Sequence, residues 1–235
     1  MGIAEALEKV RENIQQSAVK AGRNAAEIKL VAVSKTVKLE MILEAVKAGV
    51  TILGENRVQE ASGKIKQITE LRSLFTDHNK IEWHLIGNLQ KNKAKTAVQF
   101  FDMIHSVDSI ELARLLNNHA RQTEKKQRIL VQVKLSEEET KQGIVESDLI
   151  KLFEEISGLD NLKLEGLMTM PPYFEAAEKA RPYFKRLRKI RNDAEKEGYI
   201  LPELSMGMSN DYDVAIEEGS TMIRVGTAIF GARNY

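Results

Sequence analysis

Leu30-Val31-Ala32-Val33-Ser34-Lys35-Thr36 decides how the rest of the chain reads. A short β-branched apolar run marks a strand buried on both faces, the kind a parallel sheet needs. Side chains alternate along a strand, so Val31, Val33 and Lys35 share one face. An amine thus stands at the C-terminal tip of an apolar strand over 30–35. Two readings are open at this point. Either the strand has ended and Lys35 reaches into water, or its amine is partly desolvated in order to react.

Before this strand, 3–22 reads as an amphipathic helix, with Ile3, Ala6, Leu7, Val10, Ile14 and Ala21 near one face and Gly22 as its stop. After it, helical and strand patterns alternate. Helices are expected over 38–48, 58–69, 91–99, 109–123, 149–156, 175–197 and 211–218. Strands are expected over 51–56, 82–87, 101–107, 128–133, 162–168, 203–206 and 222–227. Asp108 is placed to cap one helix, and Ser147 or Asp148 another. Strands alternating with helices mean a parallel sheet. Eight of them fit a (β/α)8 barrel preceded by an extra helix. The rival, an open doubly wound sheet, offers a Gly-rich turn after its first strand. Here that turn is Ser34-Lys35-Thr36-Val37, without glycine. No linker or shift of composition divides 1–235, so a single TIM-barrel domain is expected.

Composition narrows the function. The 35 basic and 34 acidic residues balance, which argues against a broad nucleic-acid or lipid surface. Cysteine is absent, which removes disulfides, thiolate metal sites and cysteine nucleophiles. The amino end lacks a secretory pattern, and no apolar run reaches membrane-spanning length. A cytoplasmic protein is expected.

In a barrel the site is built where strands end. Lys35, Asn56, His84, Ser106, Met168, Thr169, the segment 205–209 and Gly226-Thr227 stand there. Ser205-Met206-Gly207-Met208-Ser209 precedes a helix, and Gly226-Thr227 follows the last strand. Glycines, hydroxyls and N–H groups in such places either stabilise an anion or simply cap and turn the chain. Arg224 favours the anion. It lies inside an apolar strand, on the face of Gly226, and a buried arginine needs a partner. Barrel closure sets the last strand beside the first. An amine, a guanidinium and an anion cradle at one mouth are what pyridoxal 5′-phosphate (PLP) requires.

These segments, with Gly54-Glu55-Asn56-Arg57, 83–93 (Trp83-His84-Leu85-Ile86-Gly87-Asn88 onward) and 219–231, resemble the pyridoxal phosphate homeostasis protein family. That family is similar to a free-standing alanine racemase N-terminal barrel. The resemblance implies a Schiff base (internal aldimine) at Lys35, and Arg224 facing the pyridine nitrogen. It implies a phosphate held by Ser209, Gly226 and Thr227, and a pocket lined by Asn56, His84 and Met206. It further implies a PLP carrier in vitamin B6 and amino-acid homeostasis without robust turnover, with apo PLP-dependent enzymes as recipients.

Two features bear on catalysis. An arginine at the ring nitrogen is always protonated, so the nitrogen stays unprotonated and the ring is a weaker electron sink. The racemases the chain resembles take a second acid–base group, a tyrosine, from another domain of a partner subunit. Here no second domain is expected, Tyr199, Tyr212 and Tyr235 stand at no expected strand tip, and a monomer is expected. The alternative is a weak racemase or lyase. It needs one more base, and His84 is the candidate, unless that ring only packs beside Trp83 and hydrogen-bonds within the barrel. Lys91, Lys93 and Lys95, with Arg57, Lys64 and Lys66, form a basic cluster that reads as a solvated helix face. Ser136-Glu137-Glu138-Glu139 reads as an acidic loop. His84 and His105 lack carboxylates at ligand spacing, so no metal is expected. Met168, Met170, Met206 and Met208 are expected to fill the mouth.

Overall fold

Eight strands hydrogen-bond in sequence order and close, the first beside the last. The computed structural model describes residues 2–71, 81–138 and 142–232. The strands are β1 (Lys29–Val33), β2 (Ile52–Glu55), β3 (Glu82–Leu85), β4 (Met103–Val107), β5 (Gln127–Gln132), β6 (Leu162–Met168), β7 (Glu203–Met208) and β8 (Met222–Val225). All neighbouring pairs run parallel. Helices α2 (Leu39–Lys47), α3 (Val58–Leu71), α4 (Ala94–Phe100), α5 (Ile110–Gln122), α6 (Leu149–Ser157), α7 (Arg181–Lys196) and α8 (Tyr212–Glu217) connect them. Helix α1 (Ile3–Lys20) precedes the barrel, and one short turn, α9 (Thr227–Phe230), follows it. This is a TIM barrel with an extra N-terminal helix. Among the described residues no helix is long and apolar enough to cross a membrane.

Alternation along the strands separates two kinds of core. Ala32, Leu53, Leu85, Ile104, Ile129, Leu167, Leu204 and Ile223 pack outward in one cluster with Leu7, Ile42, Leu116 and Phe184 of the helices. Their neighbours point into the barrel. Val31, Val33 and Ile86 form one interior cluster, and Met103, Leu130, Met168 and Met222 another. Arg23 ties the end of α1 to the barrel by donating to the carbonyls of Ile216 and Ser220, each at 2.8 Å.

The boundaries differ from the sequence expectation where the chain turns. β1 stops at Val33. Ser34 N–H still reaches Gly54 O at 2.9 Å, but Thr36 then takes a left-handed conformation (φ 59°). Lys35 therefore sits in a turn two residues past the strand. The region 91–99 opens with a 3-10 turn, Lys91–Lys93, before α4. The region 175–197 opens with another, Ala177–Ala180. Pro182 in the first turn of α7 then fixes where the helix proper begins. Ser109, not Asp108, caps α5, its hydroxyl accepting from Leu112 N–H at 3.4 Å. Asp148 stands at the start of α6 without a capping bond, because a 3-10 turn, Glu146–Asp148, leads into that helix.

Candidate functional site

The turn that carries Lys35 is held from behind. On the helix face, Glu60 and Lys64 are one turn apart, and both reach back to the end of β1. Glu60 Oε1 accepts from Thr36 N–H at 2.5 Å. Lys64 Nζ donates to Ser34 O at 2.6 Å, to Glu55 Oε1 at 2.8 Å and to Glu60 Oε1 at 2.7 Å. Ser34 Oγ donates to the same Glu55 oxygen at 2.7 Å. Burial pushes the Glu55 carboxyl up against the opposing pull of Lys64 and Ser34. Burial alone would raise Glu60 too, but Lys64, the Thr36 amide and Arg57 hold it below its ordinary value.

Across the closure, Val31 pairs with Arg224 and Ala32 with Val225. Lys35 and Gly226-Thr227 therefore leave the barrel from adjacent strands. Arg224 lies just inside this mouth, 3% exposed. It donates to Ser205 Oγ at 2.7 Å and to Thr169 O at 2.9 Å. Burial lowers its pKa to about 10, with Asp211 acting the other way, so it is still a cation near neutrality. Beside it, Ser209 Oγ accepts from the N–H groups of Gly226 at 3.3 Å and Ala228 at 3.5 Å. Asp211 Oδ1 accepts from Met208 N–H at 2.7 Å and closes the turn. Gly207 lets β7 lie on α8: a Cβ there would stand 2.5 Å from that of Ala215, and φ is +92°.

Asn56 ends β2 beside the Lys35 turn. With Arg57, Gln59, Asn88, Gln90 and Lys93 it lines a cavity of about 340 Å³. Gly87 allows that junction, since a Cβ there would meet Asn56 O at 2.4 Å. Thus Lys35, Asn56, Ser209, Arg224, Gly226 and Thr227 gather at the C-terminal end of the barrel.

Two expected pocket residues go elsewhere. Met206 does not point into the barrel. Its neighbour Ser205 does, so strand alternation sends Met206 outward into the main core, whereas Met168 joins the interior cluster with Met170 against it. His84 is not at the mouth. It is fully buried (0% exposed), with Nε2 3.2 Å from Glu82 Oε2 and Nδ1 3.0 Å from His105 Nε2. No ring nitrogen of His84 is left for a substrate. Tyr212 receives a hydrogen bond from Asn13 and Tyr199 stacks on Phe153. Tyr235 and Glu139 lie outside the described residues.

The basic cluster is dispersed. Lys64 belongs to the buried group behind Lys35, Lys91 pairs with Glu111, and Lys66 lies over the Phe100 ring. Sequence reasoning missed that role of Lys64. The signal was its Glu60 partner four residues earlier. It named Ser205 and His105 but did not join them, and it missed Glu82; all three share the interior with His84 and Arg224. Polar residues at inward positions of apolar strands were the signal there. Chemically, the mouth offers an amine, a buried cationic donor and converging amide donors. Those groups suit a phosphorylated carbonyl compound that presents a ring nitrogen.

Comparison with known proteins points the same way. The family described as "Alanine racemase, N-terminal domain" matches residues 6–234. A pyridoxal phosphate homeostasis protein of Aquifex aeolicus (strain VF5) is 43% identical over 236 residues, covering 100% of both chains. One from Vibrio alginolyticus is 40% identical, covering 99% of this chain and 98% of its own. PipY of Synechococcus elongatus PCC7942, solved with PLP bound, is similar in structure. Its TM-score is 0.84 at 37% identity, over 97% of this chain and 100% of PipY.

Proposed function

The chain belongs to the pyridoxal phosphate homeostasis proteins, and from that premise we propose that it binds PLP at the barrel mouth and carries it. Its role is in vitamin B6 and amino-acid homeostasis, and it works as one PLP-binding barrel domain. The observation that carries the reading is Arg224, a buried cation directly across the β1–β8 seam from the strand that leads into the Lys35 turn.

The residues fit the cofactor. Ser209 Oγ already collects two amide N–H groups, a donor set that a phosphate oxygen can use. PLP, when bound, supplies an aldehyde for the Lys35 amine and an electron-withdrawing ring. Arg224 would hold the ring nitrogen as a donor and, staying charged, would keep that nitrogen free of a proton. The outward-turned Met206 leaves only its backbone to the site. Asn56 would line the site beside the Lys35 turn.

On this reading the chain transfers PLP to apo PLP-dependent enzymes in the cytoplasm, as a monomer, without robust turnover of its own. What supports the last point is His84, which was the candidate second base and has both nitrogens engaged.

Adding PLP to the protein is expected to give a visible absorption band that borohydride fixes covalently. Peptide mapping should place the fixed group on Lys35. A Lys35→Ala chain that still fixed PLP at this mouth would overturn the assignment. Loss of the α-hydrogen of amino acids in deuterated buffer, well above the rate with free PLP, would favour the racemase or lyase alternative.

A further inference from the structure

A single run of hydrogen bonds crosses the barrel interior from the mouth to the opposite end. Arg224 NH1 is 2.7 Å from Ser205 Oγ, and Ser205 Oγ is 2.9 Å from His105 Nδ1. His105 Nε2 is 3.0 Å from His84 Nδ1, and His84 Nε2 is 3.2 Å from Glu82 Oε2. Arg128 closes the far end by donating to the same Glu82 oxygen at 2.8 Å. Ser205, His105 and His84 are each 0% exposed, so no solvent intervenes.

The two ends dictate every proton between them. Glu82 is held ionised at about 2 by His84 and Arg128, so it only accepts. His84 therefore donates from Nε2. A neutral His84 must then accept at Nδ1, so His105 donates from Nε2 and accepts at Nδ1. Ser205 donates its hydroxyl proton to His105, which leaves its oxygen to accept from Arg224. Arginine can only donate, so the run closes without conflict. Both rings are neutral Nε2–H tautomers, and all donors point away from Arg224. Burial lowers both histidines, His105 the further; Arg128 adds to this at both, and His84 and Arg224 add to it at His105. At His84, Glu82 and Asp102 pull the other way without overcoming it.

We propose that Ser205, His105 and His84 are positioning residues for the cofactor's ring-nitrogen partner: a one-way hydrogen-bond relay that anchors Arg224 and ties it to the carboxylate of Glu82. Among the described residues the buried guanidinium bonds a hydroxyl and a carbonyl, with no carboxylate in contact and Asp211 acting from a distance. The relay supplies one at a distance through aligned dipoles, which polarise one another. It also sets direction. A proton added to His84 turns Nδ1 into a donor and reverses His105. Ser205 is then left accepting from both sides, with its own proton unpartnered. The relay thus holds Arg224 in one geometry only while both rings are neutral.

This inference rests on the PLP reading for its purpose but not for its geometry, and the test separates the two. Long-range proton–nitrogen spectra of the 15N-histidine-labelled, PLP-free protein should show His84 and His105 as Nε2–H tautomers at neutral pH. Neither should take up a proton at the ordinary histidine value of about 6.5. A Nδ1–H tautomer at His105, or ordinary titration of either ring, overturns the relay whether or not PLP binds. Ser205→Ala should then release the fixed tautomer of His105, shift the visible band of bound PLP and weaken its retention roughly tenfold, the value of one hydrogen bond to a charged group. An unmoved band with an intact fold by circular dichroism would reduce these residues to core packing. PLP failing to bind the wild-type chain, with the tautomers as stated, would instead sink the cofactor reading alone.

Discussion

Behind Lys35, the Lys64–Glu55–Glu60 group is made of full charges, whereas beneath Arg224 the Ser205–His105–His84 run is made of neutral dipoles. Each braces one of the two groups on which the proposed cofactor depends. The difference follows from where they sit. The first lies between the sheet and α3, and Lys64 enters it from the helix surface, keeping 13% of its side chain exposed. The second lies inside the barrel, and along it the charges stand at the ends, on Arg224 at one and on Glu82 and Arg128 at the other. The outer brace is strong but depends on a single cation. The inner brace has neutral groups between its ends and instead depends on proton direction.

The sharpest way to break this contrast is to remove that cation. Lys64→Met leaves Glu55 buried without its cation, removes one of the partners of Glu60 and takes a donor from Ser34 O. Breaking a buried pair this way costs about 3 kcal/mol. At roughly 2–4 °C per kcal/mol, thermal unfolding should move down by roughly 6–12 °C. Adding Glu55→Leu should recover much of the loss, since apolar packing can replace a buried pair. Wild-type stability in Lys64→Met would mean that the outer group braces nothing.

Arg224→Met is the matching change inside. It removes a costly buried cation, which offsets part of the loss, but leaves Ser205 Oγ and Thr169 O without their donor. A destabilisation of about 2 kcal/mol is expected by urea unfolding, smaller than for Lys64→Met. PLP titration should nonetheless show the larger binding defect in Arg224→Met. The reverse order of binding defects would mean that Lys35, not the ring nitrogen, dominates retention.

This pairing shows what could be read from the chain beforehand. The barrel was legible because strand and helix periods alternate through most of 235 residues. Lys35 and Arg224 were legible because a charged residue in or at the tip of an apolar strand is a local anomaly. Met206 was misplaced because the run Ser205-Met206-Gly207-Met208 does not show which of its alternating faces turns inward, and His84 because it points inward but below the mouth, where Glu82 and His105 take both its nitrogens. β7 runs to Met208, beyond the expected 206, and the bonds of Ser205 to Arg224 and His105 show that Ser205, not Met206, points inward. The relay was out of reach altogether. His84, His105, Ser205 and Arg224 come from β3, β4, β7 and β8, and only the closed register brings them together. Lys64 was counted among surface lysines because its partners Ser34 and Glu55 are distant in sequence.

Glu55 and the two buried histidines should also respond to pH with opposite sign. Glu55 is raised in the folded chain, so its contribution is present below about 4.5 and lost as pH rises through the raised value. His84 and His105 are depressed, so theirs is present above about 6.5 and lost as pH falls through their folded values. Unfolding free energies of Glu55→Gln and wild type, measured from pH 4 to 8, should diverge in favour of the variant as pH rises. Both proteins should weaken together below pH 6.5. A pH-independent difference between them would show that Glu55 carries the same charge in both states.

The smallest change is expected at the turn that joins the two regions. Thr36 has a left-handed backbone, which costs a β-branched residue on the order of 1–2 kcal/mol. Thr36→Gly removes that strain but adds about 0.5–1 kcal/mol of unfolded-chain entropy. The terms nearly cancel, so the melting temperature should stay within about 4 °C of wild type. The amide that donates to Glu60 is kept, so the outer brace survives the substitution. What changes is the range open to Lys35 when no ligand is bound. Faster loss of PLP from Thr36→Gly on dilution, at unchanged stability, would assign the strain to aiming the amine. Equal release rates would leave that task to Lys64 and Glu60 alone.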